Sequence, residues 1–231
     1  MFAAMDFDPA SHSIAERYAM LIGLIVPRPI AVVGTSAPDG SSVNLAPFSF
    51  FAGCGSNPMS LLFCPGNTRE GGEKDSLRNA KPKSEGGQGE FTVSLCTTEI
   101  LTRAVACSEG LPYGSDEFRL SGLTARPSSV IAPPGVAESP ATFECRTLQV
   151  VRLAPGVTGG GNIVIGEVVH LRVDDAVLDS RGEIDAAKLS AIGRLGGSDF
   201  CSTRERGVVP MGIAALTWRN PFAIEGLSDT V

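Results

Sequence analysis

Short apolar or alternating runs separated by turn residues dominate the chain, and they predict more strands than helices. These runs cover residues 30–35, 42–46, 59–64, 91–95, 143–153 and 162–174. Turn residues bound them; Pro38, Asp39 and Gly40, for example, separate the first two runs. Gly166 interrupts the last run, which predicts a bulge or a bend in that strand.

Four short segments predict helices, at residues 15–24, 75–80, 99–107 and 185–192. The first has a capping-box arrangement, with Ser13 as the N-cap and Glu16 three residues later. The sequence shows no repeated alternation of strands with helices, and no Gly-x-Gly-x-x-Gly follows a strand. The pattern therefore favours an antiparallel barrel over a parallel dinucleotide-binding sheet.

Composition places the chain among ordinary globular proteins. Its 231 residues are 43% hydrophobic and 19% charged, enough for one large domain with a buried core. The net charge of −6 argues against nucleic acid as the main partner, because phosphate-backbone binding needs clustered Lys and Arg. The apolar runs are too short to span a bilayer, and Asp6 and Asp8 do not fit a secretory signal, so we expect a cytoplasmic protein.

Neither a metal site nor a hydrolytic centre is indicated by the sequence. The six cysteines lack Cys-x-x-Cys spacing and only His12 and His170 could complement them, so we interpret them as reduced, buried thiols. No Gly-x-Ser-x-Gly elbow is present. No side chain therefore stands out as a catalytic nucleophile or base.

The most informative stretch covers 25–35 and continues through 44–51, where polar residues interrupt a strand-like run. Asn44, Pro47 and Ser49 break its apolar pattern. Together with the backbone around Ala46 and Phe50, the amide and the hydroxyl can bind the polar edge of a planar ligand. The alternative is that Asn44 and Ser49 only form a turn at the end of the strand.

A glycine-rich, charged segment at 66–89 predicts a mobile surface loop, interrupted by the short helix at 75–80. Lys74 and Ser76 flank the start of this helix. A helix N-terminus beside a lysine suits a phosphate, whereas ordinary loop charge explains the same residues without a ligand. The sequence leaves both interpretations open.

His170 and Arg194 are two further candidates. Alternation places Val168, His170 and Arg172 on one face of a strand, opposite its apolar positions. The histidine is then either solvated or close to a ligand. Arg194 has glycines on both sides, which either let the backbone approach a ligand closely or end a helix.

In this order along the chain, several segments resemble the flavin reductase-like family, which has the FMN-binding split-barrel fold. The matching segments are 26–31, 44–51, 74–79, 116–118, 137–140, 165–170 and 192–197. The resemblance implies a mainly β protein with flanking helices, built as a six-stranded antiparallel split barrel of Greek-key type. It spans about 12–206 and implies a homodimer, while residues 207–231 have no counterpart and would form a C-terminal extension that serves as a dimer arm.

The resemblance also implies FMN in a groove near the subunit interface, contacted by eight residues. These are Asn44, Ala46, Ser49 and Phe50 at the ring and ribityl chain, Lys74 and Ser76 at the phosphate, and His170 and Arg194 near the cofactor.

The expected function is that of an NAD(P)H-dependent flavin reductase. NADH or NADPH would reduce FMN, and the electrons would pass to an acceptor, such as a monooxygenase partner. No catalytic side chain is required, because the flavin carries the redox chemistry. Two alternatives stay open: a flavin-binding electron carrier without its own nicotinamide site, and a non-catalytic barrel that acts as a binding module.

Overall fold

The structure is a computed structural model that describes residues 6–204. Within that range the chain forms twelve strands and five α-helices. The strands are β1 (Arg28–Pro29), β2 (Ala31–Ser36), β3 (Val43–Phe48), β4 (Phe51–Ser56), β5 (Met59–Phe63), β6 (Glu90–Leu95), β7 (Ala125–Arg126), β8 (Gly135–Val136), β9 (Ala141–Arg152), β10 (Asn162–Val173), β11 (Ile192–Arg194) and β12 (Phe200–Ser202). The helices are α1 (Ile14–Leu24), α2 (Asp75–Ala80), α3 (Leu101–Ala106), α4 (Glu117–Ser121) and α5 (Ala186–Leu189).

Seven strands form one antiparallel sheet in the order β3-β2-β6-β9-β10-β5-β4. The two edge strands, β3 and β4, are separated along the chain only by residues 49 and 50, so the sheet has to curl until its edges meet. This confirms the predicted antiparallel split barrel, with seven strands in the main sheet instead of six. Strand β4 has a glycine-rich, mostly exposed sequence without alternation, which is why the pattern did not reveal it.

The predicted helices are present, with one correction at the last of them. The capping box at the start of α1 is confirmed, since Ser13 and Glu16 bond to each other's backbone N–H groups. The segment 185–192 is helical only over Ala186–Leu189. Ser190, at a φ of 49°, ends the helix, and Ile192 already belongs to β11, which pairs with β1.

The barrel interior is filled by large side chains from most of its strands. Phe63 and Phe91 are fully buried, and their ring centroids lie 5.1 Å apart in an edge-to-face arrangement. Helix α2 contributes Leu77 and Ala80 to the same cluster. A second cluster on the other side of β2 contains Val32 and packs against α3 and α4. Strand β2 is therefore buried on both faces.

Gly166 coincides with a register shift between β10 and β9, which confirms the predicted bulge. A Cβ atom at this position would lie 2.4 Å from Cζ of Phe91 and 3.2 Å from Cβ of Cys145. The absence of a side chain at Gly166 therefore makes room for the aromatic ring in the barrel interior.

The predicted mobile loop at 66–89 is held to the barrel by an ion-pair network. Glu73 accepts from Lys81 at 2.7 Å and from Arg152 of β9 at 2.9 Å, and Arg152 also contacts Glu85 at 2.6 Å. Burial disfavours the charged form of Glu73, but the hydrogen bonds and charges of Lys81 and Arg152 outweigh it and lower the carboxyl pKa. The charges that indicated a mobile loop thus hold this segment against β9.

We expect Glu73→Gln to lower the free energy of unfolding by about 1 kcal/mol at neutral pH, because it removes one acceptor charge from two cations. The folded-state pKa of Glu73 is lowered, so its contribution is present above the unfolded pKa of about 4.3 and disappears as the pH falls through the folded value. Urea unfolding at pH 7 and pH 3 measures this difference. The matched control Glu70→Gln, at an exposed position, should leave the free energy of unfolding unchanged at both pH values. An equal stability loss at both pH values would contradict this origin.

The expectation of buried, reduced thiols holds for some of the cysteines. Cys96, Cys107 and Cys145 are buried free thiols, whereas Cys54 is exposed on the edge strand β4. Across residues 6–204, no group of three His, Cys, Asp or Glu side chains is placed to hold a metal ion. The helices in this range are all too short or too polar to cross a membrane.

Candidate functional site

A cavity of about 1180 Å³ lies beside the junction of β3 and β4. Its walls come from α1, from the end of β3, from α3, from the connection between β9 and β10, and from β11 and β12. Ligand pockets typically measure roughly 300–1,000 Å³, so there is room for a large planar molecule with a side chain. Apolar side chains form much of the wall, including Tyr18, Leu153 and Phe200.

The junction of β3 and β4 leaves backbone donors unused at the cavity wall. Pro47 has no N–H group and lies on an edge strand, where such a gap is tolerated. Ser49 and Phe50 belong to neither strand, and neither N–H group donates to a protein acceptor within residues 6–204. Ser49 and Phe50 both line the cavity. The interrupted strand thus offers a ligand two hydrogen-bond donors that the barrel itself does not use.

The charged residues that line this cavity are all basic. They are Arg17, Lys74 and Arg194, and among residues 6–204 no Asp or Glu lines the cavity. In a chain with a net charge of −6 this is a local reversal of sign. A cavity with this lining favours an anionic ligand.

Arg194 lines the cavity with an unsatisfied donor. Its Nη2 donates to the carbonyl of Gly197 at 2.7 Å, and its Cζ lies 4.7 Å from the ring centroid of Phe200. Its Nε atom is buried and has no hydrogen-bond partner among the described residues. Arg194 also faces Arg28 across the β1–β11 ladder, and like charges directly opposite each other are destabilising. An anion at this place would offset that repulsion.

Arg28, which the sequence analysis did not name as a site residue, lies behind the cavity wall. It is 4% exposed, and its guanidinium donates to the carbonyls of Ile22, Ile25 and Leu195 and to Oγ of Ser49, at 2.5 to 3.3 Å. Within residues 6–204 it forms no ion pair with a carboxylate. Arg28 thus connects three walls of the cavity and keeps its positive charge behind Ser49. The sequence signal for Arg28 was its place in segment 26–31, one of the segments that resemble the family.

Asn44 and Ser76 come together beside the cavity, although neither lines it. Nδ2 of Asn44 donates to Oγ of Ser76 at 3.1 Å and lies 3.3 Å from Oγ1 of Thr35. Asn79 donates to the same Thr35 oxygen and accepts from the Tyr113 hydroxyl. This buried network attaches α2 to β2 and β3. It therefore positions Lys74, the N-cap of α2, at the cavity.

Ala46 and His170 lie outside the cavity wall. Ala46 pairs with Val33 in the ladder between β3 and β2. His170 faces Glu144 across the β9–β10 ladder, with Nδ1 3.2 Å from Oε1 of Glu144 but without hydrogen-bond geometry. The described chain therefore brings Ser49, Phe50, Lys74 and Arg194 together, and places the other predicted residues elsewhere.

A second bulge in β10 decides on which face of the strand His170 lies. The register of β10 on β9 shifts between Val168 and His170, which face Cys145 and Glu144 respectively. Val168 packs on the barrel interior, whereas His170 lies on the outer face with Arg172. The prediction that Val168 and His170 share a face was wrong, because an extra residue inverts the alternation.

Two cysteines line the cavity, and both are held in the thiol form. Burial raises the pKa of Cys96 to about 12. Burial also raises the pKa of Cys64, with a smaller contribution from Cys54. Neither thiol ionises near neutral pH, so neither serves as a nucleophile.

The chain matches the sequence model of the flavin reductase-like domain over residues 23–188. The chain belongs to the flavin reductase-like family. Among relatives, this flavin reductase-like chain is 39% identical over 205 residues to an uncharacterized protein of Deinococcus radiodurans, covering 86% of each chain. It is 32% identical over 196 residues to the protein YwrF of Bacillus subtilis, covering 84% of this chain and 92% of YwrF.

Solved structures confirm the split barrel: a flavin reductase with a split barrel domain from Shewanella frigidimarina matches with a TM-score of 0.74 at 22% identity, over 90% of this chain and all of that chain. Nitrilotriacetate monooxygenase component B from Bacillus cereus superposes on this flavin reductase-like chain with a TM-score of 0.82 at 28% identity. The match covers 90% of this chain and all of the component B chain.

Proposed function

We propose that this protein is an NAD(P)H-dependent flavin oxidoreductase that binds FMN in the cavity beside the β3–β4 junction. The observation that carries the proposal is the wall itself: a large, mainly apolar cavity with three basic side chains, no acidic one and two unused backbone donors. Membership in the flavin reductase-like family supports the same ligand. An apolar ring system with a polar edge and an anionic tail fits this combination.

The donor set fits FMN group by group. Ser49 and Phe50 can donate to the polar edge of the ring, while Tyr18 and Leu153 provide apolar surface for its faces. Lys74 is exposed and has no ion-pair partner within residues 6–204, so its ammonium group is available to a phosphate. The unsatisfied Nε of Arg194 is a further donor to an anionic group.

Bound FMN would supply the redox chemistry by accepting a hydride from NADH or NADPH and passing the electrons on. The chain's own residues bind the ring, orient it and set the charge around it. Arg28, fixed behind Ser49, favours negative charge at the adjacent wall of the cavity. Since Cys64 and Cys96 stay protonated, no protein nucleophile competes with that chemistry.

We further propose a homodimer and an acceptor partner. Within residues 6–204, helix α1 has no buried residue: Ile14, Tyr18 and Leu21 line the cavity and, with Leu24, stay exposed, which favours coverage of this rim by a second copy. The similarity to nitrilotriacetate monooxygenase component B supports a separate protein that uses the electrons. The proposed dimer arm at 207–231 lies outside the described residues.

The deciding experiment is a visible spectrum of the purified protein with FMN, recorded before and after NADH and NADPH. We expect flavin absorption that bleaches with one of the two nucleotides and returns with oxygen. A flavin spectrum that only dithionite bleaches would indicate the electron-carrier alternative. A colourless protein that neither binds FMN nor accelerates NAD(P)H oxidation would contradict the proposal.

Lys74→Gln should weaken FMN binding roughly tenfold and leave riboflavin binding nearly unchanged, because only FMN carries the phosphate. Quenching of flavin fluorescence gives both dissociation constants. Lys83→Gln, at an exposed position away from the cavity wall, is the matched control and should bind both flavins like the wild type. Equal losses for FMN and riboflavin would show that Lys74 does not contact the phosphate.

A further inference from the structure

A second, smaller cleft lies on the outer face of β9 and β10. Its volume is about 180 Å³, which corresponds to roughly six water molecules. Segment 126–129 covers it on one side, and Thr142, Glu144 and Arg172 of the two strands form its floor. The lining is mostly polar, in contrast to the cavity at the β3–β4 junction. Its size and polarity suit a small hydrophilic group.

Two guanidinium groups meet in this cleft without a carboxylate partner. Arg126 donates to Oγ1 of Thr142 at 2.8 Å, a neutral acceptor. Neither Arg126 nor Arg172 forms an ion pair within residues 6–204. Burial lowers the pKa of Arg126, the charge of Arg172 lowers it further, and the opposing effects of Glu144 and Asp174 are smaller. The two cations therefore repel each other at a partly desolvated place.

The nearby acid, Glu144, is already occupied by other groups. Its Oε1 accepts from the N–H of Ser129 at 2.8 Å, and its Oε2 accepts from the N–H of Val130 at 2.9 Å. His170 lies against the same carboxylate at 3.2 Å. Glu144 thus holds the covering segment in place and does not neutralise the arginines by direct contact.

The cleft is separate from the cofactor cavity of the same chain. That cavity is lined by Asn162 at the start of β10, whereas the cleft uses Arg172 near its end. Ten residues of strand separate these positions, at most roughly 30 Å, and the two linings share no residue. A group bound in the cleft therefore does not belong to a flavin in the cavity of the same subunit.

We propose that this cleft is a binding site for a phosphate-sized oxyanion, held between Arg126 and Arg172. Guanidinium groups bind such oxyanions by paired, charge-assisted hydrogen bonds, and one anion relieves the repulsion between two cations. The hydroxyl of Ser129 lines the same cleft and can donate to a remaining oxygen, whereas that of Ser128 already donates to the carbonyl of Pro133. Free phosphate and the phosphate of a nucleotide share this chemistry.

The test is isothermal titration calorimetry with inorganic phosphate at constant ionic strength. We expect saturable binding that Arg172→Gln weakens about tenfold, while thermal unfolding shows that this exposed position leaves the fold intact. Arg126→Gln should weaken binding similarly. Arg119→Gln removes the same charge from an exposed site without an ion pair and should bind like the wild type.

Lys74→Gln separates this site from the flavin cavity. Phosphate binding that survives Lys74→Gln but not Arg172→Gln supports the cleft, whether or not the protein binds FMN. Titration with adenosine 2′-monophosphate distinguishes a nucleotide phosphate from free phosphate as the bound group. If this nucleotide binds more tightly than phosphate and Arg172→Gln weakens it equally, the site binds a nucleotide. If both bind with equal affinity, the site binds free phosphate. The absence of saturable binding, or equal affinities in Arg172→Gln and Arg119→Gln, would overturn the proposal.

Discussion

Arg28→Met should weaken FMN binding by at least about tenfold and lower the free energy of unfolding by about 2–4 kcal/mol. Arg28 is the one described side chain that donates to α1, to the loop after β11 and to Ser49 together. Methionine keeps the apolar stem but leaves the carbonyls of Ile22, Ile25 and Leu195 without this donor. Since α1 has no buried residue of its own, its position against the cavity depends on these bonds. Flavin fluorescence titration and urea unfolding measure the two effects.

Two further variants separate the charge of Arg28 from its hydrogen bonds. Arg28→Lys keeps the positive charge but offers fewer donors in a different geometry, so it should recover only part of the FMN affinity. Arg119→Met, at an exposed position, controls for the loss of one arginine and should have no effect on either quantity. The contrary result is that Arg28→Met lowers stability while the folded variant, titrated without urea, binds FMN as tightly as the wild type. That result would show that Arg28 has a structural role only.

Gly166→Ala is expected to destabilise the barrel by about 3 kcal/mol, which corresponds to a fall in Tm of roughly 6–12 °C. The added Cβ would lie 2.4 Å from Cζ and 2.7 Å from Cε1 of Phe91. That ring is fully buried and packs against Phe63, so it cannot move away without disturbing the interior. Thermal unfolding followed by circular dichroism measures the loss.

The same clash predicts strong coupling between the two positions. Phe91→Leu removes the contacting ring atoms, so Gly166→Ala should cost less than about 1 kcal/mol when it is added to Phe91→Leu. Gly53→Ala is the matched control in a strand, because no atom lies within 4 Å of the Cβ it would add. Additive losses in the double variant would show that contact with Phe91 is not the cause.

Local features of the fold could be predicted because they depend on neighbouring residues. The capping box of Ser13 and Glu16 and helix α2 at Asp75–Ala80 have the predicted positions. The bulge at Gly166 is also where the interruption of an apolar run indicated it. In each case the backbone conformation is set within a few residues by caps, alternation or glycine.

Contacts between distant segments could not be predicted in the same way. Nothing in the alternation of β10 indicates the extra residue between Val168 and His170, because that bulge depends on the register against β9. The ion pairs of Glu73 are another example, since Arg152 lies 79 residues away and belongs to a different element. A charged, glycine-rich sequence alone looks the same whether or not such partners exist.

The sequence by itself determined the antiparallel strands, the polar interruption around Ser49 and the motifs of the flavin reductase-like family. Only the tertiary structure decided that Ser49, Phe50, Lys74 and Arg194 share one cavity while His170 lies outside it. It also decided that Arg28, which lies in a family-like segment without an assigned role, joins three walls of that cavity. The physical reason is that alternation and capping act over a few residues, whereas a ligand-binding wall is set by barrel closure, which brings the two ends of the sheet together.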